Sequence, residues 1–113
     1  LMPMPEFVNH GGFTVQKIVF DDGAFSVAWG VNNDGQKQLG MRWNGGDGGD
    51  GDDDSDFGFP TYFLKKPLWL FLPKELTIPI LRGLLGHGRS DGFAIAEIIQ
   101  VVMAQAPAHA NNL

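Results

Sequence analysis

Cysteine is absent from these 113 residues, so disulfides, thiolate zinc sites and cysteine nucleophiles are excluded. Glutamate is confined to Glu6, Glu75 and Glu97, so no paired carboxylates for acid–base chemistry stand out. The three histidines, His10, His87 and His109, show no metal-ligand spacing. No apolar run approaches the ~20 residues of a membrane-spanning helix. The longest, Phe93 to Ala104, is interrupted by Glu97 and Gln100. The opening residues Leu1 to Glu6 are rich in Met and Pro and carry neither a basic start nor an apolar stretch. No secretory signal is expected from them, and a cytoplasmic location is expected instead.

What is present suffices for one small folded domain. Hydrophobic residues make up 43% of the chain and aromatics 12%, too much apolar surface for disorder. Thirteen acids against eight bases give a net charge of -5. Six of the acids are aspartates between Asp47 and Asp56; without that segment, seven acids face eight bases. The acidity therefore belongs to one loop, and no strongly basic patch advertises nucleic acid.

The periodicity predicts a loose arm over residues 1–12 and a single α+β domain over 13–106. An acidic flexible loop over 44–56 and a tail over 107–113 complete the reading. Phe13 to Phe20 (FTVQKIVF) has the β-branched and aromatic content of a strand. Asp21-Asp22-Gly23 is a turn signal. Ala24 to Val31 alternates, with Phe25, Val27 and Trp29 on one face and Ser26, Ala28 and Gly30 on the other. Asn32-Asn33-Asp34-Gly35 is the strongest hairpin signal in the chain. Gln36 to Trp43 alternates again, with Leu39, Met41 and Trp43 together. The result is an antiparallel meander whose large-residue face needs a cover of helices. Its other face (Ser26, Ala28, Gly30, Gln38, Gly40, Arg42) forms a shallow surface. Solvent, a ligand or a second subunit could meet it there.

Leu68 to Leu72 (LWLFL), bracketed by Pro67 and Pro73, reads as a fourth strand buried on both faces. A turn at Pro73 to Leu76 leads into a helix capped by Thr77 and ended by Gly86, with Ile78, Leu81, Leu84 and Leu85 inward. The last helix runs from Phe93 to about Ala106, capped by Ser90 or Asp91, with Ile95, Ile98, Ile99 and Val102 as its buried stripe. The expected fold is thus about four antiparallel strands, meander first, followed by two C-terminal helices packed on one face. Val101 and Met103 widen the apolar surface of the last helix beyond that stripe. With Ile99 they mark the expected interface of a homodimer.

Among candidate ligand sites, the aspartate loop suits a hard cation, and Asp50, Asp52 and Asp54 have the spacing of an EF-hand start. The pattern then fails, since Ser55 stands where glycine belongs and Thr61 where glutamate belongs. The segment Gly86 to Gly92 places His87, Arg89 and Ser90 at the start of the last helix, where an anion could bind. It matches neither a dinucleotide fingerprint nor a P-loop. No cofactor is expected, and a small enzyme with a scattered site near residues 86–92 is the least favoured reading.

Strand, strand, strand, acidic loop, strand and helix follow one another in that order. Leu68 to Leu85 (LWLFLPKELTIPILRGLL) carries the chain from the last strand into a helix. This arrangement is similar to the PC4-like single-stranded DNA-binding proteins over about residues 13–85. The resemblance implies a homodimer with curved sheets and single-stranded nucleic acid as partner. Arg42 and Trp43 would then stack bases while Lys17 and Lys37 lie near the backbone. The segments LGMRWNG (Leu39 to Gly45) and PLWLFLPKEL (Pro67 to Leu76) also resemble the core of a small bacterial protein family, a likeness that implies no function. Weighed together, these features point first to a small non-catalytic interaction protein, homodimeric and not bound to membrane. A nucleic-acid binder is the alternative.

Overall fold

The computed structural model describes residues 12–45, 58–62 and 66–105. Three strands, β1 (Thr14–Asp21), β2 (Phe25–Val31) and β3 (Lys37–Trp43), form the antiparallel meander. Two short strands, β4 (Thr61–Tyr62) and β5 (Lys66–Pro67), pair with each other. The strand β6 (Leu70–Phe71) then joins β3, giving a four-stranded sheet in the order β1-β2-β3-β6. Two helices follow, α1 (Thr77–Leu84) and α2 (Gly92–Gln105), and the class is α+β as the periodicity implied.

Local chemistry explains the turns. At the β2–β3 hairpin the Asn32 carboxamide oxygen accepts from the backbone N–H groups of Asp34 (2.9 Å) and Gln36 (3.0 Å). Gly35 supplies the positive φ of 77° that this turn requires. At the β1–β2 turn the Asp22 carboxylate accepts from Ala24 and Phe25, at 3.0 and 2.8 Å. A 3₁₀ turn over Lys74–Leu76 precedes α1. Thr77 is not the cap that its type suggests: it is already helical, and Leu76 takes the capping position without a side-chain bond. Pro79 falls in the first turn of α1, where the backbone N–H groups have no helical partner to lose.

The helices cover the large-residue face. Val27, Trp29 and Leu39 from the sheet, Leu81 from α1, and Ile95 and Ile98 from α2 are all buried in one cluster. Phe25 and Met41 pack against it, half-buried. Trp43, expected in the same core, is 49% exposed at the sheet's end, against Phe25 at 5.0 Å.

The small-residue face is not a shallow open surface. Phe13 and Trp69 are buried on it, with ring centroids 5.7 Å apart. A Cβ on Gly30 would stand 2.5 Å from Phe13 Cζ, and one on Gly40 would stand 3.2 Å from Trp69 Cβ. The missing side chains let the Phe13 ring and the Trp69 Cβ approach the backbone closely. Asn44, expected in the flexible loop, is buried as well: its N–H donates to the Ala24 carbonyl and its Nδ2 to Ser26 Oγ at 2.7 Å. The fourth strand is also less buried than its composition implies. Leu70 and Phe71, which pair with β3, are exposed, and the buried residues are Trp69 and Leu72 on either side of them. An edge position with prolines on both sides leaves room for only two paired residues.

Phe13 and Phe93 make a contrasting pair, fully buried and 93% exposed respectively. Phe13→Ala is expected to cost about 3–5 kcal/mol in urea denaturation. Phe93→Ala is expected to stay within about 0.5 kcal/mol of wild type at concentrations too low for self-association.

Candidate functional site

The four residues named for nucleic acid do not share a surface. Alternation along β3 puts Arg42 on the small-residue face, where it is fully buried and donates from its guanidinium to the Leu68 carbonyl. Burial pushes its pKa down to about 10, so it is still a cation at neutral pH. A guanidinium enclosed in this way cannot stack on a base, and that expectation is corrected. Lys17 and Lys37 lie across the sheet on the helix side, together with Trp29. Trp43 is at the opposite end of β3 from Lys37, about 20 Å away at the usual strand rise.

The loop that joins the helices is already committed. Asp91 accepts from the Ala94 N–H at 3.0 Å, and the Ile95 N–H bonds to the Asp91 carbonyl. Asp91 rather than Ser90 is therefore the cap of α2, and its carboxylate occupies the position proposed for an outside anion. His87 packs edge-on against Phe20 at 5.0 Å and accepts from the Arg89 N–H through Nδ1 at 3.1 Å. Ser90 pairs with Phe20 in an isolated bridge, and its buried hydroxyl has no hydrogen-bond partner among the described residues. His87, Arg89 and Ser90 thus anchor the loop to β1; Arg89 and Ser90 also line a shallow open pocket beside that strand, and His87 is not among its lining residues. Asp50, Asp52 and Asp54 lie outside the described residues.

The structure instead gathers a cleft of about 450 Å³ between α2 and the sheet. Lys17, Trp29 and Lys37 line it from the strands, and Phe93, Glu97 and Val101 from the helix. Lys17 and Asp91, both on its lining, form a solvent-accessible ion pair at 3.2 Å. Capping and this ion pair together hold the Asp91 carboxyl below the usual aspartate range, the Ala94 hydrogen bond being the larger cause. Of the expected dimer residues, Val101 (39% exposed) and Met103 (50%) are accessible, whereas Ile99 packs into the core. Phe93 and Glu97 went unmarked in the sequence. Their signal was the spacing Phe93, Glu97, Val101, four residues apart and off the isoleucine stripe, which defines a second helix face.

Asp91 gives a pH signature. Its lowered pKa means that its stabilisation is present above the ordinary aspartate value of about 3.9 and is lost as pH falls through the folded-state value. Wild type is expected to be more stable than Asp91→Ala at pH 7. Urea midpoints of the two should converge as the pH is lowered below that range; a constant gap down to pH 2 would contradict the assignment.

Comparison with protein-family models, with curated proteins and with solved structures finds no match to this chain.

Proposed function

We propose that this chain is a small non-catalytic interaction protein of the cytoplasm that acts as a homodimer through the outer face of α2. The carrying observation is Phe93. A phenylalanine ring 93% in water at the rim of an apolar-floored cleft is costly to leave uncovered. Val101, eight residues on, continues the same helix face along the cleft, while Met103 is exposed on the other flank of the helix. Exposed apolar groups contiguous on one element, with charged residues around them, are the usual form of a protein-binding patch.

The described residues contain no grouping of three or more histidine and acidic side chains able to hold a metal ion. No helix among them is long and apolar enough to cross a membrane. The nucleic-acid alternative keeps Lys17 and Lys37 but loses Arg42, and Glu97 and Asp91 share the lysines' cleft. Two acids beside two bases give little net attraction for phosphate.

Light scattering at micromolar concentration is expected to give twice the chain mass. Phe93→Asp should shift the protein toward monomer by at least about thirtyfold in dissociation constant, as loss of an aromatic anchor does. A wild-type chain that stays monomeric at these concentrations overturns the reading.

A further inference from the structure

Charge decides which surface the second copy uses. The cleft carries four charged side chains, Lys17 and Lys37 on the sheet side and Asp91 and Glu97 on the helix side. Lys17 and Asp91 neutralise each other across 3.2 Å. Neither Lys37 nor Glu97 has an ion pair among the described residues, and both are exposed. One cation and one anion are therefore left on the two walls of a single cleft. A partner of one charge sign would be attracted by one wall and repelled by the other. A second copy of the same cleft, turned by a two-fold axis, presents an anion to the cation and a cation to the anion.

Resting on the homodimer reading above, we infer that two copies pair cleft to cleft with their α2 helices antiparallel, and that Glu97 of each copy pairs with Lys37 of the other. Helical spacing supports the register. Phe93 and Val101 lie four residues to either side of Glu97, so an antiparallel crossing centred on Glu97 sets Phe93 of one copy against Val101 of the partner subunit. Both residues line the cleft, so the ring leaves water there. The crossing brings the two Glu97 carboxylates toward the axis. Each needs a cation at that point, and the partner's Lys37 is the one whose charge is uncommitted.

Charge reversal tests this pairing on the full-length chain. Lys37→Glu and Glu97→Lys, both on the surface, should fold as wild type does by circular dichroism. Each is expected to weaken the dimer at least about tenfold by sedimentation equilibrium, because every reversed contact becomes like-charged. The double variant Lys37→Glu/Glu97→Lys should return to within about threefold of wild type. If wild type dimerises but the single reversals leave its dissociation constant unchanged, or the double variant fails to recover, the dimer forms elsewhere and this interface is overturned. A wild-type chain that does not dimerise at all removes the homodimer reading itself.

Discussion

The rest of the structure depends on the pleat of β2. Successive side chains of a strand point to opposite faces, and here the division by size is nearly complete. Val27 and Trp29 go to one side; Ser26, Ala28 and Gly30 go to the other. β3 repeats the division in register, with Trp29 beside Leu39 and Ala28 beside Gly40. The large side supplies apolar bulk that two helices cover. The small side has little bulk of its own, so it must take its filling from elsewhere in the chain. Phe13 and Trp69 provide it: a β-carbon on Gly30 would collide with the Phe13 ring, and one on Gly40 would press tightly on Phe13 and on the Trp69 Cβ.

That second cover brings polar groups into the interior, and their bonds fix where it sits. Ser26, Arg42 and Asn44 are all buried on this side. Asn44 donates to Ser26 Oγ, which donates in turn to Asp21 at 3.2 Å, tying the end of β3 to the turn of the first hairpin. Arg42 reaches the Leu68 carbonyl and so links the sheet to the segment that carries Trp69. A buried charge of this kind adds little net stability, because desolvation offsets much of its attraction. Its bonding direction, however, favours one position of the 68–72 segment over its neighbours.

The meander, both hairpin turns, the glycine stop after α1 and a cap for α2 at Ser90 or Asp91 were legible in the sequence because each rests on residues close together along the chain. The second cover was not. Phe13 looks like the first residue of a strand, and Trp69 like the middle of a buried one. Nothing within a few residues of either says that they meet over Gly30 and Gly40. Arg42 misled for a related reason: alternation places it correctly on the small-residue face, but only the long-range contact with Leu68 shows that this face is closed. The cleft was half legible. Val101 and Met103 stood out as surplus apolar residues, whereas Lys37 and Glu97, 60 positions apart, acquire their relation only when α2 folds back over the sheet.

Covering both faces of a sheet is demanding for 113 residues, and the demand explains what is left over. The segments around Phe13 and Trp69 are used on one side, and α1 with the inner stripe of α2 on the other. Of the 14 residues of α2, Ile95 and Ile98 are buried, while Phe93, Val101 and Met103 remain in water. A helix amphipathic only for its own core would carry polar residues at those three positions. Helix propensity does not require them, since glutamate, lysine or glutamine would serve as well or better than phenylalanine and valine. Their apolar character is thus a property of the outer face of α2, the face that the proposed second copy would cover. Lys37 and Glu97, without ion pairs among the described residues, put one charge of each sign on the walls of the same cleft, a pattern that the proposed second copy would match and a polyanion would not.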